Sequence, residues 1–174
     1  MRVEGVEELW AGWRHTGEAA ELVRSLKYGR VTAAVTPLAD RLASAAAAAR
    51  CADLVTWVPC SPTRRAERGF DPAELLARAL ARRLGLPARA TLRRLDDEPQ
   101  TARTREGRLA GPSLVARRGR PRGLVLVIDD VCTTGSTLRA AAAALRSGGA
   151  HAVVAAVATV APDGPRQPAA VPLR

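Results

Sequence analysis

The stretch from Val125 to Thr137 reads VLVIDDVCTTGST and combines three features in one short run. An apolar run ending at Ile128 is typical of a strand that is buried on both faces of a sheet. Two carboxylates, Asp129 and Asp130, follow at the expected carboxyl end of that strand. A loop rich in hydroxyl groups then leads directly into a helix. Ligands bind just beyond the carboxyl ends of strands in open α/β sheets, so we expect a binding site here.

The hydroxyl-rich loop has the composition of a phosphate site. It consists of Thr133, Thr134, Gly135, Ser136 and Thr137. Glycine lets the backbone come close to a ligand, and the N–H groups at a helix start favour a phosphate. Asp129 and Asp130 suit vicinal hydroxyls, such as those of a ribose, and can hold a divalent metal through water. The alternative is a plain strand-to-helix turn capped by Asp130, which the combination of features disfavours.

Strands and helices are predicted to alternate along the rest of the chain. The predicted helices are Thr16–Tyr28, Thr36–Arg50, Asp71–Gly85 and Thr137–Ser147, and the predicted strands are Asp53–Val58, Gly123–Ile128 and Ala152–Val160. Apolar periodicity, proline near helix starts and glycine near helix ends support these assignments. The alternation predicts an α/β fold with a mainly parallel central sheet flanked by helices.

We expect three regions along the chain. Residues 1–50 are predicted to be a helical segment that packs on the core, with Trp10 and Trp13 at the contact. Residues 51–162 are predicted to form the core itself, and residues 163–174 a frayed, proline-rich tail. Within the core, Arg93–Arg122 is predicted to be a long surface loop with a short strand at Ser113–Ala116.

The positive charge of the chain is concentrated in one segment. The 174 residues carry a formal net charge of +10. Between Arg64 and Arg122 there are 16 arginines against seven acidic residues, and the rest of the chain is nearly neutral. A local basic surface is expected to meet phosphate-rich small molecules or nucleic acid. A solvated basic face without a partner is the alternative reading.

Composition also excludes several protein classes. No apolar run reaches the roughly 18 residues that a membrane-spanning helix needs, and the first residues lack the apolar region of a secretory signal. The three cysteines, Cys51, Cys60 and Cys132, are scattered, which predicts neither a disulfide framework nor a zinc site. We therefore expect a cytoplasmic protein without a membrane span.

A second motif joins the predicted strand at Asp53–Val58 to the next helix. It reads VPCSPTRRAERGF and carries Arg64, Arg65 and Arg68, with Gly69 permitting a turn. Guanidinium groups bind phosphate oxygens in a bidentate way. The loop is therefore a second candidate anion site, and a basic surface loop without function is the alternative.

The segment VLVIDDVCTTGST resembles the motif of the type I phosphoribosyltransferases that binds 5-phosphoribosyl 1-pyrophosphate (PRPP). The resemblance implies that Asp129 and Asp130 bind the ribose 2′- and 3′-hydroxyls and act as catalytic residues. It implies that the loop from Thr133 to Thr137 binds the 5′-phosphate. Many purine-salvage members have an aspartate at the position of Thr133, so purine-base chemistry of that style is not expected.

A wider stretch, about residues 22–160, is similar to the ComF family, whose members are linked to competence and DNA uptake. The similarity rests on VPCSPTRRAERGF, on VLVIDDVCTTGSTL and on Leu26-Lys27-Tyr28. It implies a type I phosphoribosyltransferase-like fold and a pyrophosphate site at Arg64, Arg65 and Arg68. The zinc-binding segment with which ComF proteins usually begin has no counterpart here, so zinc is not expected. For Lys27, a ligand contact and a solvated position at the helix end are equally open.

The resemblance implies two candidate functions. In the first, the protein binds PRPP or a related ribose 5-phosphate, with Mg²⁺ carried by the ligand and not bound directly by the protein. It would then transfer the phosphoribosyl group to an unknown acceptor. In the second, the protein is a non-enzymatic competence factor that binds single-stranded DNA or competence machinery, or senses nucleotides. The sequence leaves open whether the protein is an enzyme.

Overall fold

The computed structural model describes residues 3–28, 32–95, 111–117 and 121–164. The helices are α1 (Gly17–Tyr28), α2 (Val35–Ala45), α3 (Pro62–Arg68), α4 (Pro72–Leu84) and α5 (Ser136–Ser147). The strands are β1 (Leu9–Arg14), β2 (Leu54–Trp57), β3 (Leu92–Arg94), β4 (Leu114–Ala116), β5 (Leu124–Cys132) and β6 (Ala152–Val160). Short 3₁₀ turns at Thr32–Ala34 and Ala47–Cys51 flank α2.

Four strands form a parallel sheet in the order β1-β6-β5-β2. In the register of the two central strands, Val127 lies opposite Ala155. The apolar residues of β5 from Val125 to Ile128 are fully buried, as expected for a strand covered on both faces. The prediction of an α/β fold with a parallel central sheet is confirmed.

Helices cover both faces of this sheet. On one face, α1, α2 and α4 pack through buried leucines and Val23 against Leu126 and Ile128. On the other face, α5 packs through Leu138 and Leu145. Burying each such side chain contributes about 1.5–3 kcal/mol, so these two layers hold the sheet in place. The carboxyl end of β5 therefore emerges between two fixed helix layers.

The start and end of α4 follow the sequence prediction closely. The Asp71 side chain caps the helix, accepting hydrogen bonds from the amides of Ala73 (3.0 Å) and Glu74 (3.4 Å). The helix ends at Gly85, which has the left-handed conformation with φ of 74°. Local capping chemistry thus sets where this helix begins and ends.

Two segments differ from the sequence predictions. The expected loop between Pro59 and Phe70 contains the helix α3, which Ser61 caps by accepting a hydrogen bond from the Arg64 amide (3.4 Å). A helix of two turns has too little apolar periodicity to be recognised in a sequence. Gly69, expected to permit a turn, ends this helix in the left-handed conformation.

The second difference is strand β1, which lies within the first fifty residues that we expected to be helical. It pairs in parallel with β6, with Leu9 opposite Ala155. Trp10 and Trp13 therefore pack on the core from a strand and not from a helix. A Cβ on Gly12 would come within 2.8 Å of the Ala158 carbonyl oxygen, so glycine permits the close approach of these strands.

The long arginine-rich segment is described only at its two ends. There, β3 and β4 form an antiparallel pair in which Arg93 lies opposite Val115. The short strand expected at Ser113–Ala116 is present as β4, while β3 was not predicted. Residues 96–110 and 118–120, and the tail from 165 onward, lie outside the described residues. None of the helices in the described ranges is long and apolar enough to cross a membrane.

Candidate functional site

A polar cavity of about 280 Å³ opens where β5 ends. Its walls come from the ends of α1, β3 and β5, from the residues that follow β2, from α3, and from the first residues of α4 and α5. Its charged lining residues are Lys27, Arg64, Arg68, Asp71, Arg94, Asp129 and Asp130. Two segments that are far apart in the sequence, the arginine motif and the aspartate motif, therefore meet in one cavity.

A larger groove of about 910 Å³ lies between β4 and α5. Small and apolar side chains form most of its lining, together with Arg117, and no acidic residue lines it. Catalysis and polar-ligand binding require charged or hydrogen-bonding groups that converge on a ligand. We therefore place the candidate functional site in the smaller, polar cavity.

Asp129 and Asp130 lie within the last residues of β5, which runs on to Cys132 and not only to Ile128 as predicted. The Asp130 amide donates a hydrogen bond to Asp129 Oδ1 at 2.8 Å. Burial raises the pKa of Asp129 to about 8, and the charge of Asp130 adds to this effect. Two carboxylates that lie close together at a partly buried strand end repel each other, so full ionisation of both is unfavourable.

Lys27 partly offsets this repulsion. Its Nζ lies 3.0 Å from Asp130 Oδ1, and both side chains are largely buried, with 22% and 15% of their surface exposed. The positive charge of Lys27 also lowers the pKa of Asp129, against the larger effect of burial. The one lysine of the chain thus lies in the cavity and is not a solvated residue at the helix end.

The hydroxyl-rich loop reaches the cavity with two of its five residues, Thr133 and Thr137. Behind them, the Thr134 hydroxyl donates to Ser136 Oγ at 3.1 Å and so shapes the turn. Gly135 is the N-cap residue of α5, with φ of 80° and no side chain to cap the helix. The start of α5 beside the cavity is therefore not capped by its own N-cap residue, which suits an anion.

Arg64 and Arg68 line the cavity, and Arg65 does not. The Arg65 guanidinium instead pairs with Glu74 of α4 at 3.1 Å. The Arg68 guanidinium carbon lies 5.0 Å from the centre of the Tyr28 ring. The structure therefore brings two of the three predicted arginines to the site and directs the third to a neighbouring helix.

Asp71 and Cys60 also line the cavity, although the sequence did not indicate them as site residues. Asp71 is only 2% exposed, and burial raises its pKa despite the hydrogen bonds that it accepts. Burial and the nearby Asp71 carboxylate raise the pKa of Cys60 to about 12. Burial, together with the charge of Asp129, raises the pKa of Cys132 to about 11. Both thiols stay protonated at neutral pH, which argues against a nucleophilic cysteine.

The site suits a cation that arrives with a ligand. Among the described residues, no three His, Cys, Asp or Glu side chains gather into a metal-binding group. The carboxylates of Asp129 and Asp130 are hard oxygen donors of the kind that Mg²⁺ prefers. Mg²⁺ bound mainly by the oxygens of a phosphorylated ligand fits this donor set, because it commonly keeps several waters and uses few protein ligands.

Tyr28 and Arg94 also line the cavity, and sequence reasoning did not assign either of them to the site. Tyr28 follows Lys27 in the Leu26-Lys27-Tyr28 element, the one signal in the sequence that pointed towards it. Arg94 lies on β3, at the start of the arginine-rich segment. Their place at the site follows from the packing of α1 and β3 around the sheet and not from a local motif.

The family described as Phosphoribosyl transferase domain matches residues 69–172. The Competence protein ComFC of Bacillus subtilis (strain 168) is 36% identical over 99 residues, which cover 56% of this chain and 40% of that protein. The chain thus spans less than half the length of this relative.

The fold is shared with a solved structure. The structure of the allosteric regulatory enzyme of purine biosynthesis superposes with a TM-score of 0.52 at 26% identity, over 74% of this chain and 26% of that one. The orotate phosphoribosyltransferase from Aeropyrum pernix gives a TM-score of 0.47 at 23% identity, over 72% of this chain and 58% of that one.

Proposed function

Because the chain belongs to the phosphoribosyl transferase domain family, we propose that its polar cavity binds PRPP, or a related ribose 5-phosphate, together with Mg²⁺. The observation that carries this proposal is the meeting of two opposite kinds of group in one cavity. Asp129 and Asp130 supply carboxyl oxygens that can accept hydrogen bonds from hydroxyl groups. Arg64 and Arg68 supply guanidinium groups. A sugar that bears both free hydroxyls and phosphates needs both kinds of partner.

Each part of the ligand has a matching partner. The ribose hydroxyls donate hydrogen bonds to Asp129 and Asp130, and Lys27 stays close enough to balance the charge of the pair. The 5-phosphate lies at the start of α5, where the Thr133 and Thr137 hydroxyls and the backbone amides bind its oxygens. The pyrophosphate faces Arg64 and Arg68, which neutralise its charge.

The proposed reaction is a substitution at the anomeric carbon. A nucleophilic atom of the acceptor forms a bond to C1 as the bond between C1 and the pyrophosphate oxygen breaks. Pyrophosphate leaves with the bonding electron pair, and the acceptor releases its proton to solvent. Positive charge builds on the sugar meanwhile, so the negative charge of the acidic pair on β5 stabilises it and the arginines stabilise the leaving group. Mg²⁺ held by the ligand oxygens supplies further neutralisation of the pyrophosphate charge.

Calorimetric titration with PRPP and Mg²⁺ tests the binding step. We expect saturable binding to the wild-type protein and about tenfold or greater weakening in Asp130→Asn, which removes a charge that pairs with Lys27. Asp40→Asn is the matched control, because Asp40 is an exposed partner of Arg83 outside the cavity. Absence of binding at millimolar PRPP, or equal weakening by both variants, contradicts the proposal.

Turnover needs a separate measurement. Release of pyrophosphate in the presence of an acceptor supports the transferase function. Binding of PRPP without release for any acceptor supports a sensing role at the same site. Salt-dependent binding of single-stranded DNA would instead support the non-enzymatic competence factor, since phosphate-backbone contacts weaken steeply as salt rises.

A further inference from the structure

Strand β4 has one edge that pairs with β3 and a second edge that pairs with no strand in the described ranges. On the paired side, the Arg117 amide donates a hydrogen bond to the Thr91 carbonyl at 2.7 Å. Hydrogen-bonded and non-hydrogen-bonded residues alternate along an antiparallel pair. The backbone groups of Leu114 and Ala116 therefore point to the second edge. An unpaired strand edge is a template for pairing with another chain.

Helix α5 runs alongside this edge and forms the other wall of the groove of about 910 Å³. A Cβ on Gly111 would lie 2.7 Å from the Ser136 carbonyl oxygen, and a Cβ on Gly148 would lie 2.5 Å from Ala116 Cβ. The strand thus begins beside the first turn of the helix and ends beside its last turn. Residues Pro112–Arg117 line the groove, so it is long enough for about five residues of an extended chain.

The helix wall of the groove is made of small residues. Ala140, Ala143, Ala144 and Ser147 line it, and the side chains of Ala143 and Ser147 are exposed. Successive side chains of an extended strand point to opposite faces, so every second side chain of a strand added to β4 faces this wall. Small residues there leave space for apolar side chains of the size of valine or isoleucine.

Positive charge lies at the end of the groove where β4 ends. Arg117 is exposed there, and no acidic residue lines the groove. Arg122 is also exposed, and the carbonyl of the next residue, Gly123, accepts a hydrogen bond from the His151 amide at 2.9 Å. This contact holds Arg122 near the same end, because Gly149 of the groove precedes His151 by two residues. An acidic segment is complementary in charge to this end of the groove.

We propose that the groove between β4 and α5 binds an extended, acidic segment of a partner protein, which adds to β4 as a third, antiparallel strand. The outward backbone groups of Leu114 and Ala116 then form hydrogen bonds with the partner, as when a peptide extends the edge of a sheet. Antiparallel pairing places the N-terminal, acidic residues of the segment beside Arg117 and Arg122. The inference does not depend on the binding of PRPP in the polar cavity.

Peptide binding measured by fluorescence polarisation tests the proposal. The probes are labelled octapeptides that begin Asp-Glu-Asp and continue with residues drawn from Val, Ile, Leu and Thr, and their counterparts that begin Lys-Arg-Lys. We expect acidic peptides to bind saturably and about threefold or more tightly than their basic counterparts. N-methylation of successive amides in the best peptide should weaken binding at every second position, because only alternate amides face β4.

Two glutamate variants provide a matched comparison. Ala143→Glu and Ala47→Glu each replace an exposed alanine and change the net charge equally, but only Ala143 lines the groove. Ala143→Glu should weaken the best acidic peptide by about tenfold, because it places a like charge in the groove, and Ala47→Glu by less than about twofold. Ala116→Pro removes one outward amide and should weaken binding by about fivefold. Circular dichroism checks that each variant is folded.

The proposal is overturned if no acidic peptide binds more tightly than its basic counterpart, if both glutamate variants weaken binding equally, or if N-methylation shows no alternation. Sedimentation of the wild-type protein alone is a further check. A dimer that Ala116→Pro dissociates would show that a second copy of the chain occupies the groove, and this result also overturns the proposal.

Discussion

The Asp71 carboxylate accepts a hydrogen bond from the Cys60 amide at 2.9 Å, across eleven residues of chain. Its other oxygen caps α4 through the amides of Ala73 and Glu74. The segment between Cys60 and Asp71 carries Arg64 and Arg68. One buried carboxylate therefore joins both ends of the arginine segment and fixes where its guanidinium groups meet the cavity.

Asp71→Ala should lower the free energy of unfolding by about 1–3 kcal/mol, because it removes a helix cap and leaves a partly buried amide unpaired. It should also weaken PRPP binding more than ribose 5-phosphate binding, since the arginine segment is no longer held. Urea unfolding and calorimetry measure the two effects. Asp71→Asn keeps an acceptor and should lose less, so equal losses in the two variants would contradict this role.

Arg64→Ala should weaken the binding of pyrophosphate by about tenfold, because it removes a guanidinium group that lines the cavity and that is proposed to bind phosphate oxygens. Arg65→Ala is the control from the same helix, since Arg65 pairs with Glu74 outside the cavity. It should change affinity by less than about twofold. Competition between pyrophosphate and PRPP provides the measurement, and a larger loss in Arg65→Ala would refute the assignment.

The raised pKa of Asp129 predicts how stability depends on pH. Its pKa is about 8 in the folded protein against an ordinary value of 3.8, so the folded state holds the proton more tightly. The stability that the folded protein gains from holding this proton is fully present below about pH 4 and is lost as the pH rises to about 8. Asparagine does not titrate, so this loss should be absent in Asp129→Asn. From pH 4 to pH 9, the free energy of unfolding of the variant should therefore fall by about 1 kcal/mol or more less than that of the wild type. Urea unfolding at both pH values tests this, and parallel pH profiles would count against it.

Lys27→Met should raise the pKa of Asp129 above its wild-type value of about 8, because the nearby positive charge that lowers it is gone. NMR titration of the Asp129 carboxyl carbon measures the change. Lys27→Arg keeps the charge and should leave the pKa closer to that of the wild type. An unchanged pKa in Lys27→Met would show that the lysine does not act on the acidic pair.

Gly135→Ala should destabilise the protein by about 1–3 kcal/mol, because φ is 80° at this position and a Cβ would lie 2.8 Å from Val3 Cγ2. Gly17 also has a positive φ, of 50°, but a Cβ there would have no heavy atom within 4 Å. Gly17→Ala should therefore destabilise the protein less than Gly135→Ala, and the difference in stability between the two variants measures the steric contact with Val3. Thermal unfolding of both variants checks this. If both variants are destabilised equally, backbone strain and not the steric contact explains the whole effect.

The strand and the helix that flank the aspartates could be predicted because their signals are local. The apolar run of β5 and the capping residues of α4 act on neighbouring residues, and Asp71 and Gly85 mark the ends of that helix. Strand β1 was missed because its one partner strand in the sheet, β6, lies at the other end of the sequence. The helix α3 was missed because two turns carry too little periodicity.

The sequence by itself determined the α/β alternation and the two motifs, the acidic strand end with its hydroxyl-rich loop and the arginine segment. Their residues act through hydrogen bonds and apolar spacing within a few positions, so a linear reading can detect them. Only the tertiary structure decided that Lys27 pairs with Asp130, that Arg65 turns to Glu74, and that Tyr28 lies beside Arg68. Those contacts depend on how α1, α3 and α4 pack around the sheet, and no local pattern encodes that packing.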